Sequence, residues 1–293
     1  MSEHVTRRSL LATGAVLLRE GGVASPEYDA SELLAHVLGV SRGTLALVDH
    51  ISDEQADSYL GLVRRRATRE PLQHLTGVAY FRHVELAVGA GVFVPRPETE
   101  LLAGWAVEQA SRVLRAEGRE PVLVDLCTGS GAIAASIADE VPGARVHAVE
   151  LDEAAYAWAV RNLEGTGVDL RQGDMGTAFE ELAGTVDVVV CNPPYIPLDA
   201  WESVAAEARD HDPDLALYSG QDGLDAMRVL ERRAALLLRP GGVVGAEHAD
   251  EQGPDGRRGG APAVFAGTGR WTDVRDHPDL AGRPRFTTAR LAR

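Results

Sequence analysis

Val122-Leu123-Val124-Asp125-Leu126-Cys127-Thr128-Gly129-Ser130-Gly131 runs a short apolar segment into a tight glycine turn, and an alanine- and isoleucine-rich helical segment follows at once. A short β-rich run bounded by glycine reads as a strand buried on both faces. The glycines permit backbone conformations closed to other residues and let a ligand approach the main chain. The amides that open the next helix suit a carboxylate or a phosphate. Packing alone also selects glycine at such a turn, so its meaning depends on its neighbours.

The same alternation continues outward. Strands are expected at 122–126, 145–149, 186–191 and 242–246, helices at 132–140, 154–163 and 224–238, and weaker strands near 272–275 and 285–289. This predicts an α/β fold, a doubly wound, mostly parallel sheet with helices on both faces. The Gly- and Pro-rich stretch from beyond His248 through Pro262 reads as a loop. Upstream, Leu10, Leu11, Leu17 and Leu18, then Leu33, Leu34, Val37 and Leu38, recur at helical spacing, with Ser25-Pro26 as a helix start and Gly39 as a stop. The expected organisation is a helical domain over 1–75, a β-hairpin linker over 76–97, and the α/β domain over 98–293.

Composition narrows the function. With 293 residues, 45% hydrophobic and 25% charged, the chain can bury a sizeable core. A net charge of -15 suits duplex nucleic acid poorly, because that affinity comes from neutralising phosphates. Arg64-Arg65-Arg66 with Arg69 reads as a solvated helix face. Two cysteines, Cys127 and Cys191, do not make a disulfide framework, so a reducing, cytoplasmic setting is the default, with both thiols inert. Thr6-Arg7-Arg8-Ser9-Leu10-Leu11 resembles an export signal, but Arg19 and Glu20 interrupt it and it reads as a first amphipathic helix. No uncharged apolar run reaches the roughly 18 residues of a membrane span. His74 and His248 lack the partner spacing of a metal site.

Glu150 closes the strand after the glycine turn, where a carboxylate can accept bonds from both ribose hydroxyls of a nucleoside. The turn lacks full dinucleotide spacing and has no lysine after its last glycine, so an S-adenosylmethionine site fits better. Asn192-Pro193-Pro194-Tyr195 follows the strand Val186-Asp187-Val188-Val189-Val190-Cys191. Two prolines fix the backbone and remove two donors, leaving a rigid acceptor platform. The Asn192 side-chain oxygen and the Pro193 carbonyl can each take one hydrogen of a substrate NH2 group, while Tyr195 stacks on its planar π-system. In a doubly wound sheet, ligands bind outside the carboxyl ends of the strands where strand order reverses. If the strands preceding the two motifs flank that point, donor and acceptor share one crevice.

The chain resembles the HemK/PrmC-type protein-(glutamine-N5) methyltransferases. The most specific stretch runs from Glu70-Pro71-Leu72-Gln73-His74-Leu75-Thr76-Gly77 to Val94-Pro95-Arg96-Pro97-Glu98-Thr99-Glu100. Also similar are Ser25-Pro26 with Asp29-Ala30, Pro213 with Ala216-Leu217, Asp222-Gly223-Leu224, and Glu247-His248 followed by Gln252-Gly253. The resemblance implies a class I, Rossmann-like methyltransferase that methylates the glutamine of the Gly-Gly-Gln loop in class I peptide chain release factors. It assigns Cys127, Thr128, Gly129, Ser130 and Gly131 to the methionine part of the cofactor, Glu150 to its ribose, and Asp174 and Met175 to the adenine region. Asn192, Pro193, Pro194 and Tyr195 would bind the glutamine, with Asn192 also near the cofactor, and the helical domain would help recognise the release factor. Cys127 stands where the family usually has glycine, Glu150 replaces the commoner aspartate, and many relatives carry an aromatic residue at Met175. Arg96 and Glu98 are expected at the substrate mouth or in ion pairs between domains, and Phe93 over the glutamine or in the domain junction.

The alternative is a methyltransferase of an exocyclic amine in DNA or RNA, since a similar tetrapeptide holds such amines. It would have to flip the base and grip the backbone, which the acidic charge opposes. A methyltransferase fold reduced to a binding module is disfavoured by the intact Asn192, Gly129 and Gly131.

Overall fold

A computed structural model describes residues 6–48, 50–256 and 260–292. The chain divides into two compact units, residues 1–78 with 205–211, and residues 79–204 with 212–293.

The first unit is helical, with helices Arg7–Glu20, Pro26–Leu38, Asp53–Ala67 and Leu72–Thr76. Thr6 caps the first through its bond from the Ser9 amide, so the arginine pair opens a helix as expected. Gly39 ends the second in the left-handed conformation, and Ser52 and Gln55 form a capping box on the third. Leu18, Leu33, Leu34, Tyr59 and Val63 are fully buried in its core. The arginine run is not a uniformly solvated face. Arg66 is buried and bonds Asp29 at 2.7 Å and Glu207 at 2.8 Å, while Arg65 pairs with Glu70 and Arg69 with Glu207. Glu207 comes from the helix Ala206–His211. An arginine at the buried spacing of an amphipathic helix needs carboxylate partners, and those are distant in sequence.

Strands β1 (Val78–Phe81) and β2 (Val84–Ala87) form a two-stranded sheet. The second unit is built on a seven-stranded sheet of β3 (Val122–Leu126), β4 (Arg145–Glu150), β5 (Asp169–Gln172), β6 (Val186–Cys191), β7 (Leu238–Glu247), β8 (Trp271–Pro278) and β9 (Pro284–Leu291), in the order β5-β4-β3-β6-β7-β9-β8. All neighbours through β7 are parallel, and β9 is antiparallel to both β7 and β8. Two cores explain the continuous apolar runs. Leu123, Val188 and Val190 face one core with the helices Thr99–Glu117 and Ala132–Glu140, and Val122, Val124, Leu126 and Val189 face the other with Asp225–Leu237.

Two expectations change. β5 has only half-buried and exposed residues, Asp-Leu-Arg-Gln, which gave it no apolar signature. The expected loop through Pro262 contains the start of a helix, Gly260–Ala266. Proline in a first helical turn lacks an N–H that would have no partner there anyway. Residues 257–259 of that stretch lie outside the described residues.

Candidate active site

The sheet order reverses between β3 and β6. Their register pairs Leu126 with Cys191, so Cys127 and Asn192 leave adjacent strands at the same level. The topology thus brings the two motifs to the carboxyl ends of neighbouring strands, the arrangement expected from the sequence.

Three residues of the turn have left-handed backbone: Cys127 at φ 64°, Gly129 at 59° and Gly131 at 87°. Glycine adopts that conformation freely, whereas at Cys127 it costs a side-chain-bearing residue about 1–2 kcal/mol. The Cys127 thiol lies 3.5 Å from the Met175 sulfur. Thr128 donates to Asp125 at 2.6 Å, and its amide donates to the Val149 carbonyl at 3.0 Å. Burial pushes the Asp125 carboxyl up to about 7, opposed by the Thr128 hydroxyl and the Ala134 amide. Its Oδ1 is buried with no hydrogen-bond partner among the described residues. Glu150 spans from β4 to the turn: Oε2 accepts the Gly129 amide at 2.8 Å and Oε1 the Asp152 amide at 2.9 Å. Burial shifts its titration upward, against ionisation, and those two amides pull it back down. Each carboxylate oxygen has more than one acceptor site, so both retain capacity for a hydroxyl. Asp174 is exposed and accepts the Gly176 amide at 2.7 Å. Asn162, which drew no notice in the sequence, donates to the Ser130 carbonyl at 2.9 Å and bonds both polar backbone groups of Ala87.

On the adjacent strand end, Asn192 and Tyr195 are half-buried and Pro193 is buried. Asn192 Nδ2 donates to Thr99 Oγ1 at 3.3 Å, a bond that leaves its Oδ1, the acceptor end of the carboxamide, uncommitted. Gln252 Nε2 donates to the Tyr195 carbonyl at 2.9 Å and the Asp222 carbonyl at 3.3 Å, while Gln252 Oε1 accepts the Ala249 amide at 3.1 Å. Gly223, at φ 72°, lets these groups meet, because a Cβ there would sit 2.2 Å from the Tyr195 oxygen. Burial pushes the titration of the Tyr195 hydroxyl upward and so holds it neutral, and the fields of Glu247, Arg285, Arg96 and Glu98 act on it.

The linker residues Phe93, Arg96 and Glu98 make their contacts within the second unit. Arg96 pairs with Asp212 at 2.7 Å and lies over the Phe93 ring at 4.8 Å, so this ion pair does not join the two units. Glu98 is 3.9 Å from Arg283. Cys127 and Cys191 are free thiols, and burial pushes the titration of Cys191 well above its usual value, holding it as the neutral thiol; Cys127 itself is only partly buried. His248 is buried against Asp276 at 2.9 Å. Sequence reasoning assigned no role to Thr99, Gly223, Glu247 or Gln252. The available signal for Glu247 was the one used for Glu150: an acidic residue closing a buried apolar strand.

Family models described as the PrmC N-terminal domain and a methyltransferase domain match residues 9–77 and 123–211. The chain is 59% identical over 276 residues to the release factor glutamine methyltransferase of Streptomyces coelicolor, covering 94% of each. It is 44% identical over 289 residues to the enzyme of that name from Mycolicibacterium smegmatis, covering 98% of each. A 4-amino-L-phenylalanine/4-methylamino-L-phenylalanine methyltransferase from Streptomyces pristinaespiralis is 43% identical over 250 residues, 85% of this chain and 83% of that one. With a glycine turn and an Asn-Pro-Pro-Tyr platform on one sheet edge, and with these relatives matched nearly end to end, the chain belongs to the release factor glutamine methyltransferase family.

Proposed function

We propose that this protein transfers the methyl group of S-adenosylmethionine to the side-chain amide nitrogen of the glutamine in the Gly-Gly-Gln loop of class I peptide chain release factors, in the cytoplasm. The observation that carries this reading is the Leu126–Cys191 register, which opens a cofactor-type turn and an amide-holding platform side by side. Family membership selects the glutamine over a nucleobase amine, and the net charge of -15 agrees.

S-adenosylmethionine, when bound, supplies an electrophilic methyl group on a sulfonium and leaves as S-adenosylhomocysteine. The residues at the turn fit that molecule: Cys127 to Gly131 border its methionine part, Glu150 offers its remaining acceptor capacity to the ribose, and Met175 and Asp174 flank the adenine. The orphaned Asp125 Oδ1 beneath the turn favours a cationic neighbour. Asn192 Oδ1 and the Pro193 carbonyl accept the two N–H groups of the glutamine amide, and the Tyr195 ring covers its face. An amide lone pair is delocalised and weakly nucleophilic. Acceptors fixed on both hydrogens orient the nitrogen and stabilise the positive charge that develops there. The two prolines and the Gln252 clamp hold those acceptors in place before substrate arrives. The helical unit recognises the release factor.

The test is transfer of labelled methyl to an intact release factor, to one whose loop glutamine is replaced, to nucleic acid, and to 4-amino-L-phenylalanine. Label confined to the intact release factor is expected. Label that persists without the glutamine, or that goes to nucleic acid or the aryl amine instead, overturns the substrate assignment.

A further inference from the structure

Glu247 closes β7, and the β6–β7 register pairs Ala246 with Cys191, so Glu247 stands level with Asn192. It is 1% exposed. The Thr99 and Tyr195 hydroxyls are near enough to its carboxyl to favour the ionised form, Arg285 and Glu98 act on it through their fields, and Oε2 has no hydrogen-bond partner among the described residues. A carboxyl buried this deeply with an oxygen left unpaired is costly. An apolar residue would pack the same strand end at less cost, so stability does not account for it.

We propose that Glu247 is a positioning residue that sets which end of the Asn192 carboxamide faces the substrate. An ionised carboxylate can only accept, so it takes the single proton of the Thr99 hydroxyl. Thr99 Oγ1 must then accept, and the donor in reach is Asn192 Nδ2, at 3.3 Å. Oδ1 is thereby left outward to receive a substrate N–H. A neutral, protonated Glu247 can instead donate to Thr99, which frees the Thr99 proton for Asn192 Oδ1 and turns the carboxamide the wrong way. The inference rests on the reading that Asn192 Oδ1 accepts from the acceptor nitrogen.

Burial pushes the Glu247 carboxyl up to about 7, opposed by the Thr99 hydroxyl and the Arg285 guanidinium and reinforced by the Glu98 charge. The titratable and charged groups facing it are therefore Tyr195 after β6, Glu98 ahead of the helix Thr99–Glu117, and Arg285 on β9. Of these, Tyr195 is pushed upward, away from neutral pH, and Arg285 is raised as well.

The experiment uses the full chain with Glu247→Gln, Thr99→Val and the double variant. Each single variant is expected to lower kcat roughly 10²-fold with the cofactor Kd within a few-fold, and the double variant to be no worse than the poorer single. The wild-type kcat profile should carry an acid limb with its midpoint near 7, where Glu247 titrates, and Glu247→Gln should lack it. A readout free of any substrate is available because the chain has only two asparagines, Asn162 and Asn192. Selective 15N-asparagine labelling gives two side-chain NH2 signals, with Asn162 as the internal reference. Asn192 NH2 protons should exchange slowly in the wild type and at least tenfold faster in Glu247→Gln, with Asn162 unchanged. Wild-type kcat in Glu247→Gln, multiplicative losses in the double variant, an acid limb retained in both Glu247→Gln and Glu247→Gln with Asp125→Asn, or unchanged Asn192 exchange would each overturn the proposal. Failure of the functional reading looks different: the wild type itself leaves the release factor unlabelled, while the Asn192 exchange result still stands or falls alone.

Discussion

Gly223→Ala tests how the acceptor platform is held. Gly223 sits at φ 72°, and an added Cβ would lie 2.2 Å from the Tyr195 carbonyl oxygen, 3.0 Å from its carbon and 2.6 Å from Gln252 Nε2. Left-handed backbone costs alanine about 1–2 kcal/mol, and a methyl forced into packed backbone costs typically 1–3 kcal/mol more. The collision also breaks the Gln252 bonds to Tyr195 and Asp222, each with a net value of about 1 kcal/mol. The expected destabilisation is about 4–7 kcal/mol, a large share of the roughly 5–15 kcal/mol that holds a typical domain. Urea denaturation should show the midpoint falling accordingly at constant m. In the protein that remains folded, kcat should drop roughly 10²-fold, because a carbonyl displaced by about 1 Å misaligns the platform. Cofactor affinity should stay within tenfold, since the glycine turn leaves a different strand. Gly143→Ala separates strain from collision. It shares a positive φ, 93°, but a Cβ there meets nothing within 4 Å, so it should cost about 1 kcal/mol and leave kcat unchanged. Wild-type stability and turnover in Gly223→Ala would refute the clamp.

Cys127→Gly relieves left-handed backbone at φ 64°, so it should be more stable than Cys127→Ala by about 1 kcal/mol in a thermal melt; the reverse order would mean that the left-handed conformation imposes no strain at this position. Arg66→Met leaves Asp29 and Glu207 without their buried cation and should cost about 3–5 kcal/mol, partly recovered on adding Asp29→Asn; denaturant titration of the full chain measures both. For Glu247, the folded carboxyl titrates near 7, above its ordinary 4.5, so the neutral form is favoured in the fold. Its stabilising contribution is complete below about 4.5 and is lost as pH rises through 7, a difference of roughly 3 kcal/mol by pH 8. Glu247→Gln should thus match the wild type near pH 4.5 and exceed it increasingly toward pH 8, and a stability difference independent of pH would contradict the buried carboxylate.

What the sequence made legible follows from what each signal depends on. β3 and β6 were readable because burial on both faces demands unbroken apolar runs, and the two motifs stood out as glycines and prolines placed at their ends. β5 escaped because an edge strand can be polar. The helix at Gly260–Ala266 escaped because composition could not distinguish a proline in a first turn from one in a loop. Glu150 was readable by position, yet its bond across to the Gly129 amide depends on its extra methylene and the turn's shape. Thr99, Gly223, Glu247 and Gln252 form their contacts across long stretches of chain, with Gln252 reaching back to Tyr195. Such partners are set by tertiary packing, and local pattern carries no record of them.

The central claim is that Asn192 presents an acceptor to the reacting nitrogen. Its most direct test is single-turnover methyl transfer to the release factor by Asn192→Ala, with cofactor affinity measured calorimetrically on the same preparation. Transfer should be nearly abolished while the cofactor Kd stays within tenfold of the wild type. Transfer at the wild-type rate would contradict it.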